Sequence, residues 1–138
     1  MKKTLIDTNV VLDYMLHRPG YSNAMIIYLL AEQNLIDGYV PASAITDIFY
    51  IVQKQLGKKP AKDALKNLLS VFKPATVTDS NIYHALGLDW ADFEDSVQYT
   101  VGKSFSADYI ITRNTRDFSS GSIPAVTPEQ FIQIASGI

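Results

Sequence analysis

Two short apolar runs, each ending on a polar turn, constrain this chain more than any other feature. Thr4-Leu5-Ile6 runs into Asp7-Thr8-Asn9, and Tyr109-Ile110-Ile111 runs into Thr112-Arg113-Asn114. Neither run alternates apolar with polar residues, so neither reads as a strand with one wet face. A short unbroken run fits a strand covered on both faces, as parallel sheets are. Ile36 to Val40, Pro74 to Val77 and Pro124 to Val126 read as further strands.

The stretches between these runs have helical spacing. Val10, Val11, Leu12 and Tyr14 begin a helix after the first turn, and residues 20–33 carry Met25, Ile26, Leu29 and Leu30 on one face. Ile45, Phe49, Val52 and Leu56 form a stripe that Gly57 ends, and Ala64, Leu65, Leu68, Leu69 and Phe72 follow as the second arm of a hairpin. Asp79 or Ser80 caps a helix through Leu88, Asp92 opens one carrying Phe93, Val97, Val101 and Phe105, and Thr127-Pro128-Glu129 opens the last. Strands separated by helices predict an α/β fold: a three-layer αβα sandwich with a central parallel sheet of four or five strands.

With 138 residues, 47% of them hydrophobic and 19% charged, the chain fits a single domain over residues 1–138. It has no cysteine, which excludes disulfides, thiol catalysis and iron–sulfur clusters and fits a reducing compartment. The apolar stretch after Met1-Lys2-Lys3 is broken by Asp7, too early for a signal peptide or a membrane span, so a cytoplasmic location with no membrane association is expected. The net charge of -2 excludes long-range attraction of nucleic acid by a basic surface, so any such binding must be local.

In a parallel sheet, ligands bind beyond the carboxyl ends of the strands, and the two polar turns lie there. An acid directly after a buried strand, as Asp7 is, needs either a cation or several donors. Capping of the next helix by its side chain explains it equally well. Asp89, Asp92, Glu94 and Asp95 place four acids at a helix start, where the helix dipole favours them. Asp92 suits a cap, Asp95 shares a face with Gln98 and Tyr99, and Glu94 projects elsewhere. Asp47 lies opposite the apolar stripe of its helix, where a solvated acid is the simplest reading, although Tyr50 and Ile51 flank it. Oxygen ligands without cysteine, and with histidine only at His17 and His84, suit Mg2+ or Mn2+ rather than zinc. Neither histidine is assigned to a metal. Lys54, Lys58, Lys59, Lys62 and Lys66 crowd the helical hairpin, whereas Arg113 and Arg116 flank the second polar turn and are the candidates for phosphate contact.

Taken together, Leu5-Ile6-Asp7-Thr8-Asn9, Ile45-Thr46-Asp47, Asp92-Phe93-Glu94-Asp95-Ser96, and Ile111-Thr112-Arg113-Asn114 with Asp117-Phe118 resemble the PIN domain family, in order and spacing across nearly the whole chain. The resemblance implies a Mg2+- or Mn2+-dependent endoribonuclease hydrolysing RNA phosphodiesters, the toxin of a VapC-like toxin–antitoxin pair, with an antitoxin partner and a homodimer. It implies Asp7 as the first metal ligand, Asp47 as the second acid, Asp95 as the third and Asn114 at the fourth acidic position, with Asn9 and Thr112 in support. Asp47 stands where Glu is commoner, and Asn114 brings no negative charge, for which Asp117 or Asp92 would compensate as metal ligands. Two alternatives stay open. One is an inactive PIN-like interaction module. The other is a metal-dependent phosphatase using Asp7 as nucleophile, which the amide at Asn9 disfavours because such enzymes usually carry a second acid there.

Overall fold

The computed structural model describes residues 1–137. Strands β1 (Lys2–Ile6), β2 (Ile36–Pro41), β3 (Lys73–Ala75), β4 (Tyr109–Ile111) and β5 (Ala125–Val126) form one parallel sheet in the order β3-β2-β1-β4-β5. Helices α1 (Thr8–Met15) and α2 (Tyr21–Glu32) link β1 to β2, and α3 (Ile45–Leu56) and α4 (Lys58–Val71) link β2 to β3. Helices α5 (Asp79–Leu88) and α6 (Phe93–Ser104) precede β4, and α7 (Pro128–Ser136) follows β5. The chain winds outward from β1 through β2 to β3, then returns to lay β4 along the free side of β1. That reversal opens a crevice at the carboxyl ends of β1 and β4.

Successive strand residues point to opposite faces, and the two faces bury different helices. Ile6 and Ile111, paired in register, join Val10 and Val11 of α1, Ile27 of α2, Ile48 and Val52 of α3, Leu68 of α4 and Phe131 of α7 in one apolar cluster. Leu5 and Ile110 pack on the other face with Tyr99 of α6, where Val97 and Val101 also meet Ala85 of α5. The result is the three-layer αβα arrangement. Each large aliphatic side chain fully withdrawn from water contributes about 1.5–3 kcal/mol, so the two layers are fixed mainly by these side chains.

Several local expectations are corrected. The face that α2 buries is Ala24, Ile27, Tyr28 and Ala31, while Leu29 is exposed. In α3 the deepest residues are Ile48 and Val52, and Leu56, at the helix end, is exposed. Thr78, not Asp79 or Ser80, caps α5, because its side chain and that of Asn81 satisfy each other's backbone N–H groups in a capping box. The third strand is Lys73–Ala75 rather than Pro74 to Val77, since only that stretch pairs with β2. Phe93 is exposed at the start of α6, whereas residues 96–102 are buried all round.

Gly38 in β2 lies directly beneath the Phe72 ring, which stands edge-on to Tyr28 with centroids 4.9 Å apart. A Cβ on Gly38 collides with that ring. Gly38→Ala is therefore expected to destabilise the fold by about 1–3 kcal/mol, read as a lower urea midpoint, and the loss should shrink when Phe72→Leu is added.

Candidate active site

Asp7 follows the last residue of β1, and its backbone N–H donates to the Ile111 carbonyl at 3.0 Å. Pairing of Ile6 with Ile111 thus sets Asp7 beside Thr112 at the mouth of the crevice. Asp7 is 6% exposed, yet its side chain makes no capping bond to α1. Instead Thr112 Oγ1 donates to Asp7 Oδ2 at 2.7 Å and Gln98 Nε2 donates to Asp7 Oδ1 at 3.1 Å. The capping explanation of Asp7 therefore gives way to donors from the turn after β4 and from α6. Thr112 also accepts the Asn114 N–H at 3.0 Å, so one hydroxyl ties the second polar turn to the first.

Helix α6 brings its acids to the same place. Asp92 caps the helix by accepting the Asp95 N–H at 3.0 Å, and Glu94 and Asp95 occupy the first turn. Burial, followed by the charges of Asp92, Asp7, Asp117 and Glu94, pushes the Asp95 carboxyl up to about 7. Glu94 is also raised, by burial first and then by Asp7, Asp92 and Asp47. Glu94 was expected to project elsewhere, but it lines a cleft with Asp47 and Gln98 and feels the charges of Asp7, Asp92 and Asp47. Asp47 is exposed on the first turn of α3 and meets the group through Glu94, across a cleft of about 210 Å³ walled by Ile82, Phe93 and Val97.

The remaining candidates differ in what they contact. Asn114 is exposed and takes part through its backbone, since its side chain does not cap the 3-10 turn Thr115–Phe118 that follows. Asp117, in that turn, is exposed and acts on Asp95. Thr8 Oγ1 and Asn9 Oδ1, next to Asp7, are buried without partners. Arg116 is exposed in the same 3-10 turn, lining a hollow with Ser119 and Pro124. Arg113 is engaged within the chain: its Nε pairs with Asp13 Oδ2 at 3.2 Å. Sequence reasoning passed over both Gln98 as a partner of Asp7 and Asp13. The position of Asp13 directly after Val10-Val11-Leu12 was the available signal, whereas nothing in the sequence pairs Gln98 with Asp7.

The donor set is entirely oxygen and amide, and Asp95 is raised by burial first and by the neighbouring acids after it. Among the described residues no three acids form a ready-made metal cage. Such a set fits a hard divalent cation that keeps much of its water and takes one or two carboxylates, and it does not fit a fully protein-enclosed ion.

An acid-lined crevice at the switch point of a parallel αβα sheet defines the class of protein. A family profile described as a PIN domain matches residues 3–116, and the chain belongs to that family. Two solved structures share the fold. One is the crystal structure of VapBC2 from Rickettsia felis bound to a DNA fragment from their promoter, with a TM-score of 0.70 and 16% identity over 91% of this chain and 98% of that one. The other is a toxin–antitoxin complex from Klebsiella pneumoniae, with a TM-score of 0.65 and 20% identity over 91% of this chain and 97% of that one. No curated protein matches the sequence. No helix among the described residues is long and apolar enough to cross a membrane.

The raised Asp95 carboxyl makes stability depend on pH. An unfolded aspartate loses its proton near pH 4, whereas the folded metal-free protein retains it up to about pH 7. The folded state binds the extra proton in that window, so stability falls as pH rises from about 4 to 7 and then levels off. Asp95→Asn is expected to raise the urea midpoint at pH 8 and leave it nearly unchanged at pH 4. Solvent screening keeps the gain to about 1 kcal/mol or less.

Proposed function

We propose that this PIN domain is a metal-dependent endoribonuclease and the toxin of a toxin–antitoxin pair. The observation that carries the reading is the buried Asp7 carboxylate, oriented by Gln98 and Thr112, with Glu94 and Asp95 within reach of its charge and Asp92 and Asp117 acting on Asp95. Like charges gathered at this cost are accounted for by a cation that neutralises them.

Asp7 and Asp95 would hold Mg2+ or Mn2+, with Asp117, Asp92 and Asp47 around them. The cation, when bound, supplies Lewis acidity and offsets charge that builds on the phosphate during hydrolysis. The chain's own part is orientation. Thr112 and Gln98 each spend a donor on Asp7, which leaves the remaining lone pair of each carboxylate oxygen directed by the fold. Asn9 brings a buried, uncharged oxygen next to Asp7, and Asn114 joins the group through its backbone, so neither adds repulsion to an incoming phosphate.

A protein partner suits the surface. Tyr50, Leu56 and Leu69 are large apolar side chains left exposed on the α3–α4 hairpin, and they would supply the contact. An antitoxin is the partner proposed, in keeping with the toxin–antitoxin complexes that share the fold. A homodimer, located in the cytoplasm, completes the proposal.

The test is cleavage of structured and unstructured RNA with Mg2+ or Mn2+. Wild type is expected to cut, EDTA to stop it, and Asp7→Asn and Asp95→Asn each to lower the rate by about 100-fold or more. Cleavage that survives both substitutions sinks the assignment. RNA binding without turnover points to an interaction module, the reading that the exposed amide of Asn114 favours.

A further inference from the structure

Asp7 and Asp13 are the buried acids among the described residues, and the acid site uses only the first. Asp13 lies in α1, 1% exposed, and Arg113 Nε is its only ion-pair partner among the described residues. Its other oxygen, Oδ1, is buried without a hydrogen-bond partner. The loop after α1 closes over the pair: Arg18 N–H donates to the Asp13 carbonyl at 3.0 Å, and Gly20 lies so close that a Cβ there collides with Asp13 Oδ2. A buried carboxylate with one counter-charge is costly to maintain. Helix capping does not explain it, because Asp13 lies five residues inside the helix.

Its guanidinium partner stands in a telling place. Arg113 follows Thr112, the residue that binds Asp7, and precedes Asn114, whose N–H Thr112 accepts. The Arg113 side chain is 46% exposed, so a fork anchored at Nε still offers its terminal nitrogens to a ligand. Asp13 lies six residues beyond Asp7, a rise of about 9 Å along the helix. That offset suits a phosphate next to the scissile one and not the reacting phosphate itself. The acid site repels a polyanion until a cation binds, and a fixed guanidinium beside it, its charge offset by Asp13, presents N–H donors to a phosphate rather than one more acid.

We propose that Asp13 is a positioning residue that holds Arg113 as a clamp for a backbone phosphate neighbouring the cleaved bond of a single-stranded RNA. The proposal rests on the ribonuclease reading, in which the acid crevice receives RNA. Because Asp13 acts only through Arg113, the two behave as one unit. Arg113 was expected from the sequence to contact phosphate directly, and the structure adds the acid that fixes how it does so.

Charge alone and positioning make opposite forecasts for Asp13→Asn. Removing a negative charge strengthens RNA binding if Asp13 contributes only to the field, and weakens it if Asp13 orients the fork. Binding of a labelled short single-stranded RNA is measured in Ca2+ at several salt concentrations, and Mg2+-dependent cleavage is measured separately. Asp13→Asn and Arg113→Met are each expected to weaken binding about ten-fold and to reduce the magnitude of the log K against log salt slope by about 0.7, the share of one phosphate contact. The double variant should be no worse than either single one. Arg113→Lys keeps the buried acid paired, and with it the fold, but one ammonium does not serve both Asp13 and a phosphate, so it should show the same loss.

Tighter or unchanged binding by Asp13→Asn, or an unchanged slope in Arg113→Met and Arg113→Lys, overturns the clamp. Wild-type cleavage with those results leaves the nuclease reading standing. Binding that depends on Asp13 and Arg113 without any cleavage removes the nuclease and keeps the clamp. Failure of wild type to bind RNA removes both.

Discussion

A carboxylate withdrawn from water at the end of a central strand governs the rest of this molecule. Desolvating an ion costs several kcal/mol, and Asp7 recovers that only where donors reach both of its oxygens. Thr112, just past β4, and Gln98 of α6 do so from 105 and 91 residues away in sequence. The Thr112 hydroxyl has one proton to give, and giving it to Asp7 leaves its lone pairs for the Asn114 N–H. Strand register, helix placement and the course of the second turn thus meet at a single acid.

The first turn of α6 manages the opposite difficulty, too many like charges. A helix N-terminus carries partial positive charge, and Asp92, Glu94 and Asp95 all sit where that charge is felt. Asp92 satisfies a backbone donor as well, so its place is secured by local structure. Even so, the dipole does not offset burial and the neighbouring acids, which together keep Glu94 and Asp95 raised. The fold gathers more negative charge than it neutralises.

Much of this was legible in the sequence, for identifiable reasons. Unbroken runs at Leu5-Ile6 and Ile110-Ile111 mark buried strands, and a polar residue after each falls at the same sheet edge by topology alone. Asp7 and Thr112 were found that way, whereas Asp95 came from its place at a helix start and from the family resemblance. The face of α2 was not, because Met25, Ile26, Leu29 and Leu30 make the helix apolar on several sides and its small residues Ala24 and Ala31 settle what packs inward. Three consecutive capping residues made the start of α5 ambiguous, although Asn81, three residues after Thr78, held the answer. Gln98 was read as sharing a helix face with Asp95 and Tyr99, with no means of naming its partner. Periodicity says which side a residue faces, while a hydrogen bond across 91 positions depends on the tertiary fold.

The late arrival of β4 beside β1 sets a timetable for the nascent chain. Asp7 emerges from the ribosome early, but Thr112 follows 105 residues later, about 5–20 s at ordinary rates of translation. Until then the flank of β1 that β4 will occupy lacks its partner, and the acids have no common crevice. A growing polypeptide with this topology lacks its crevice through most of its own synthesis, so any partner that binds the finished crevice has nothing to engage until elongation passes the fourth strand.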